Sequence, residues 1–161
     1  VDERFPTGLI VGRFDPPHLG HSYLVEEASA RCEQLVVYVN SRHTDAAPGA
    51  LRAAWLADLH PRARVIEVGH DLATDWHDEE LWGRWIALFL ARWPHSDGPH
   101  AVFSSDAYVA ELARRLGAAC IVVDASRRTV PISATMVRAD PARHLDRLAA
   151  PVAEWVRAHW L

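Results

Sequence analysis

Short apolar runs alternate with amphipathic stretches along most of the chain. The first run, Gly8-Leu9-Ile10-Val11-Gly12, is rich in β-branched residues and closes on a glycine, which predicts a buried strand. Leu35-Val36-Val37-Tyr38-Val39, residues 64–68, residues 101–104 and Cys120-Ile121-Val122-Val123 predict four more. Helical spacing fills the intervals, over residues 19–31, 51–59, 80–93 and 109–116. It returns near the end of the chain, where Val152, Trp155, Val156 and His159 share a face. In the 80–93 segment Trp82, Trp85, Ile86, Phe89, Leu90 and Trp93 form one apolar stripe, which reads first as a core-facing face. Asp106 stands where it would cap the fourth helix, and Gly117 where it would end it.

Strands that are apolar on both faces and separated by helices predict an α/β fold. The expected architecture is a Rossmann-like doubly wound parallel sheet of about five strands with helices on both faces. No repeat, linker or low-complexity tract interrupts the pattern, so residues 1–161 read as a single domain.

Composition narrows the function. With 161 residues, 50% hydrophobic and 24% charged, the chain is globular rather than disordered. Its net charge of −4 gives no basic footprint for nucleic acid. All 17 basic residues are arginine, so neither a GxxxxGK[ST] phosphate loop nor a Schiff-base lysine lies within this chain. Cys32 and Cys120 are far apart in apolar contexts and read as two reduced core thiols. No signal-peptide pattern surrounds Asp2, Glu3 and Arg4, and no apolar run approaches a membrane span. A cytoplasmic protein with no membrane partner is expected, with homo-oligomerisation left open.

Two constellations carry chemistry. Gly12-Arg13-Phe14-Asp15-Pro16-Pro17-His18-Leu19-Gly20-His21 follows the first strand and runs into the first helix. Ligands of open α/β sheets bind beyond the carboxyl ends of strands, and a helix N-terminus offers free N–H groups to phosphate. Gly12 and Gly20 allow close backbone approach, and His18 and His21, three residues apart, face the same way on the opening turn. The bland reading is two incidental surface histidines; zinc is a further alternative for such a pair, but it needs a third or fourth ligand and none is marked nearby. Further on, Ser133 reads as an N-cap with Thr135 and Arg138 on the following turns, a second set of groups suited to phosphate oxygens. Alone, that set is a weak pattern and reads first as a capped helix with a solvated arginine.

His18-Leu19-Gly20-His21 and Ile132-Ser133-Ala134-Thr135-Met136-Val137-Arg138 together resemble the HxGH and ISxTxxR motifs of the nucleotidylyltransferase superfamily. The serine-to-arginine spacing is similar to the adenylyltransferase rather than the cytidylyltransferase pattern, which implies ATP as donor. The whole chain is most similar to nicotinamide-mononucleotide adenylyltransferases, in particular the adenylyltransferase domain of bifunctional proteins that also carry a ribosylnicotinamide kinase. Val123-Asp124-x-x-Arg127-x-Thr129 and Phe103-Ser104-Ser105-Asp106 resemble elements of that family. Asp15 departs from it, standing where the close family often has an aromatic residue or glutamine.

The resemblance implies transfer of AMP from ATP to nicotinamide or nicotinate mononucleotide, with Mg²⁺ accompanying the ATP. His18, His21 and Arg138 are the implied catalytic residues. Gly12, Arg13, Phe14, Gly20, Asp124, Arg128, Ser133 and Thr135 complete the expected ATP site. Asp15, Arg42, Arg52, Trp76 and Trp82 are the acceptor-site candidates, against bland readings as a loop cap (Asp15), surface charge (the arginines) and core (Trp82). The rival readings are a phosphopantetheine adenylyltransferase, a cytidylyltransferase, or a sensor that binds nucleotide without turnover.

Overall fold

The computed structural model describes residues 4–106, 108–124 and 128–161. Asp2, Glu3 and Arg127 lie outside them. The expected fold is present. Five strands, β1 (Phe5–Gly12), β2 (Cys32–Ser41), β3 (Arg64–Gly69), β4 (Ala101–Ser104) and β5 (Ala119–Val122), form one sheet in the order β3-β2-β1-β4-β5. Every pairing is parallel, with β1 in register with β4 through Gly8–Ala101 and Leu9–Val102. The chain winds outward from β1 through β2 to β3, then crosses back to β4 and β5. The switch point therefore lies between β1 and β4, where open α/β sheets bind ligands.

Side-chain alternation along the strands distributes the helices. Ile10, Val37 and Phe103 point to the face covered by α1 (Leu19–Arg31) and α2 (Gly49–Leu59), where they meet Leu24, Val25, Ala28 and Leu56. Leu9, Val11, Tyr38 and Val102 point to the opposite face. There they pack on α3 (Glu79–Arg92) and α4 (Val109–Leu116) through Trp82, Phe89, Val109, Leu112 and Ala113. Each buried Leu or Val in these two layers stabilises the fold by roughly 1.5–3 kcal/mol. A third cluster joins Trp55 of α2 to α5 (Ala134–Ala139) and α6 (Ala150–Trp160) through Ile132, Val137, Val152 and Val156. It fixes the segment bearing the second motif against the body of the domain. Among the described residues no helix is long and apolar enough to cross a membrane.

Local chemistry sets the helix ends. Asp78 caps α3 by accepting the Leu81 N–H at 3.0 Å. Gly117 ends α4 in the left-handed region (φ 69°), with its N–H turned back to the carbonyls of Ala113 and Arg114.

Four expectations need correction. Cys120 is exposed on β5, because β5 is an edge strand whose residues are mostly open to solvent; only Cys32 is a core thiol. In the α3 stripe Trp82 and Phe89 are buried, whereas Leu90 is 49% exposed, since the helix covers the sheet with only part of the stripe. Tyr108, not Asp106, occupies the N-cap position of α4. Finally, β1 and β2 begin three residues earlier than the apolar runs, at Phe5 and Cys32, because β1 pairs with β2 from that point.

Candidate active site

A cavity of about 430 Å³ opens at the carboxyl ends of β1 and β4. On one side it is lined by Gly12, Arg13, Phe14, His18, Gly20 and His21 from the loop after β1 and the start of α1. Ser133, Ala134, Thr135 and Arg138 close that side. The opposite side is formed by Asp75, Trp76, Trp82, Trp85, Asp106 and Tyr108. Two segments more than a hundred positions apart thus share one wall, and a hydrogen bond ties them: Arg138 Nη1 donates to the Asp15 carbonyl at 2.5 Å.

The histidines build their own turn. Gly20 and His21 N–H groups donate to His18 Nδ1 at 3.0 and 3.3 Å, and the His18 N–H donates to His21 Nδ1 at 3.1 Å. This is a reciprocal capping box made by imidazoles instead of hydroxyl and carboxylate. It fixes the tautomer: with Nδ1 accepting on both rings, each neutral imidazole carries its proton on Nε2 and presents a donor there. The rings stack at 3.6 Å between centroids, and Phe14 abuts His21 edge-on at 4.7 Å. Gly20 is required by this packing, because a Cβ there would lie 2.9 Å from the His18 ring. Phe14 is held in the left-handed region (φ 52°), which costs a non-glycine residue on the order of 1–2 kcal/mol and persists here under a ring that is 3% exposed.

Ser133 caps α5 by accepting the Met136 N–H at 3.2 Å, and Arg138 Nη2 donates to Thr135 Oγ1 at 3.3 Å. The hydroxyls and the guanidinium are thereby gathered on one cavity wall.

Several expected site residues have other tasks. Arg52 is completely buried and donates to carbonyls and to Asp45, so it does not reach an acceptor. Asp15 is buried on the cavity wall and its carboxylate accepts the Ala46 and Ala47 N–H groups at 2.9 and 2.8 Å, pinning the loop after β2. Arg42 lines a separate polar cleft with His43, Glu67 and His70. Asp124 is engaged by the N–H groups of Arg128, Thr129 and Val130. Burial would raise its pKa, but those N–H groups outweigh burial and hold the carboxyl below the usual value. Neither Asp124 nor the exposed Arg128 is among the described residues that line the cavity.

Trp82 is a core residue whose edge reaches the cavity. Its Nε1 donates to the Trp76 carbonyl and Trp85 Nε1 to the Ala73 carbonyl, each at 3.0 Å, so two indoles one turn apart hold the loop that carries Trp76. Trp76 is 50% exposed and stacks on Tyr108 at 5.0 Å.

Sequence reasoning missed Tyr108 and Asn40. Tyr108 donates to the Val11 carbonyl at 3.0 Å across the switch point, and burial, with Asp106 nearby, pushes its hydroxyl up to about 12. It precedes the α4 stripe and carries no spacing signal. Asn40 lines the cavity with a buried Oδ1 that lacks a hydrogen-bond partner among the described residues. As the first polar residue after the apolar run of β2, it could have been found by the rule that strand ends face ligands.

A model of the cytidylyltransferase-like family matches residues 9–140, which spans both motifs. The chain belongs to this family. The trifunctional NAD biosynthesis/regulator protein NadR of Escherichia coli is 24% identical over 165 residues, covering 90% of this chain and 39% of that protein. The nicotinamide-nucleotide adenylyltransferase of Aeropyrum pernix is 52% identical over 33 residues, 20% of this chain. A crystal structure of NadR in complex with NR superposes with a TM-score of 0.64 at 22% identity, covering 95% of this chain and 44% of that one. The chain spans about two-fifths of the length of NadR. The nucleotidylyltransferase resemblance and the Rossmann-like fold read from the sequence are both borne out.

Proposed function

We propose that the chain transfers AMP from ATP to nicotinamide or nicotinate mononucleotide, forming NAD or its deamido analogue and releasing pyrophosphate. The observation that carries this reading is the meeting of the HxGH turn and the Ser133–Arg138 segment on one cavity wall opposite an aromatic wall. Similarity to NadR and to a nicotinamide-nucleotide adenylyltransferase supports the same acceptor class. Both cysteines are free, in keeping with action in a reducing cytoplasm.

In this mechanism an oxygen of the acceptor phosphate attacks the α-phosphorus of ATP in line. The new P–O bond forms as the bond to the bridging oxygen breaks, and pyrophosphate leaves with that electron pair. The acceptor phosphate is ionised at neutral pH, so no general base is needed. Catalysis comes from placement and charge neutralisation. His21 Nε2–H donates to the α-phosphate, where charge develops, and His18 supports the adjacent phosphate. Arg13 and Arg138 hold the outer phosphates, and Ser133 and Thr135 orient the pyrophosphate. Trp76 supplies a face for the pyridine ring, whose positive charge favours an indole.

Among the described residues no group of three or more His, Cys, Asp or Glu side chains gathers as a metal cage. With the Asp15 carboxylate engaged by Ala46 and Ala47, Asp75 and Asp106 are the other carboxylates on the cavity that would help hold, through water, a magnesium ion bound mainly by the triphosphate. Such an ion would supply neutralisation of phosphate charge.

The test is pyrophosphate release from ATP or CTP with a panel of acceptors: nicotinamide mononucleotide, nicotinate mononucleotide, phosphopantetheine and small alcohol phosphates. Release with ATP and a pyridine mononucleotide is expected. Turnover confined to another acceptor, or ATP binding without turnover, would replace this reading with one of its rivals.

A further inference from the structure

Arg52 is among the largest fully buried side chains of the protein, and it stands behind the cavity rather than on its wall. A buried guanidinium is tolerated only when its donors are satisfied. Arg52 satisfies them on three separate segments. Nη1 donates to the Arg13 carbonyl, in the loop after β1, and to the Asn40 carbonyl, in β2, the latter at 3.3 Å. Nε donates to the Ala47 carbonyl at 2.9 Å, in the loop before α2. Nη2 donates to Asp45 Oδ2 at 2.5 Å.

Asp45 relays this placement. Its Oδ2 also accepts the Arg42 N–H at 2.8 Å, and its Oδ1 accepts from Arg13 Nη2 at 3.1 Å. The Arg13 side chain is 59% exposed; its carboxylate contacts are Asp45 and, at 3.7 Å, Asp15. Arg13 is thus held twice by the same buried group: its backbone directly, and its guanidinium through Asp45. A solvent-exposed arginine without such a brace would lose more rotamer entropy on meeting a phosphate.

We infer that Arg52, acting through Asp45, is a positioning residue that sets Arg13 against the triphosphate. The inference rests on the proposed role of Arg13 at the nucleotide. Arg52 touches no substrate; its effect passes through a neighbour that does. When ATP binds, Arg13 turns one face to phosphate while Asp45 stays anchored by Arg52 and the Arg42 N–H, so the loop keeps its shape through the exchange.

The experiment is a double-mutant cycle read as the Kd for ATP with Mg²⁺, which does not depend on turnover. Asp45→Asn is nearly isosteric; Arg52→Lys keeps the charge and loses the planar fork. Thermal melting of each variant accompanies the binding data. In the native background Asp45→Asn should weaken ATP binding about tenfold, as expected for the loss of a charged partner that orients a ligand group. In an Arg13→Ala background the same change should cost less than about twofold, because the group it positions is gone. Equal losses in both backgrounds, or no loss in either, would overturn the inference and leave Arg52 a structural residue alone. If Arg52→Lys fails to fold, the Asp45→Asn cycle still decides. A native protein that binds ATP but releases no pyrophosphate with any acceptor overturns the proposed function, not this coupling; one that does not bind ATP overturns both.

Discussion

The two walls of the cavity are built on different principles. The wall proposed to meet phosphate, the phosphate-side wall, consists of local motifs: an imidazole capping box over His18–His21 and a serine cap at Ser133, each closed by hydrogen bonds within three residues. Its histidine pair is buried or half-buried and cross-stacked. The aromatic wall is a composite. Trp76 sits on an exposed loop and is held by an indole from α3 below it and by Tyr108 beside it. Each turn of the first wall has its geometry written locally, and a long-range hydrogen bond from Arg138 to the Asp15 carbonyl joins the two; the other wall acquires its geometry from long-range packing throughout. Rigid placement suits the wall where charge must be neutralised in the transition state, whereas an exposed aromatic suits a ring that must enter and leave.

Breaking the phosphate-side wall should have the largest consequence. His21→Ala removes a transition-state donor and half of the capping box, and should lower kcat by roughly two to three decades, measured as pyrophosphate release at saturating substrates. An unchanged kcat would take His21 out of the mechanism. Arg138→Lys comes next. A lysine cannot bridge the Asp15 carbonyl, Thr135 and a phosphate at once, so kcat/KM for ATP should fall by about one to two decades.

Disturbing the aromatic wall should be milder and should move a different parameter. Trp76→Ala is expected to raise KM for the acceptor by about tenfold or less while the Kd for ATP stays fixed. Since half of Trp76 is exposed, the melting temperature should hardly change. A matching loss of ATP affinity would show that the two walls are not independent.

A smaller effect concerns pH. Burial would raise the Asp45 pKa, but the Arg42 N–H and the guanidinium groups of Arg52 and Arg13 outweigh it and hold the carboxyl below the usual aspartate value. A carboxyl depressed in the folded state contributes stability that is fully present above the unfolded pKa and disappears as pH falls through the folded one. Melting followed from neutral to acid pH should therefore show a drop below about pH 4 that is shallower in Asp45→Asn. Identical profiles would argue against the Arg52–Asp45 pair as a source of stability. The smallest effect is chemical: a mild thiol reagent should label exposed Cys120 and spare Cys32, whose thiol burial pushes up to about 11, with activity retained.

The contrast between the walls also explains what was legible in the chain. Buried parallel strands read as continuous apolar runs, so all five strands were visible in the sequence; what it misjudged was burial at the edge. Edge strands break that rule, and Cys120 on β5 was accordingly misplaced in the core. His18, His21, Ser133, Thr135 and Arg138 could be grouped from the sequence because each set lies within a short run of neighbouring residues. Arg52 and Asp15 were recognised as notable, but their roles as buried braces depend on partners from other segments. Tyr108 gave no signal, since its place on the cavity follows from how α4 meets the end of β1.

Sequence alone determined the class of fold and the two turns proposed to hold phosphate. Those follow from hydrophobic periodicity and from hydrogen bonds between neighbours a few positions apart, which act at short range along the chain. Only the tertiary structure decided that the two turns share one cavity and which tryptophans line it. It also decided that Arg52 lies behind the site rather than in it. These depend on the winding of the sheet and on burial, and a guanidinium excluded from water takes whichever oxygens the fold brings to it.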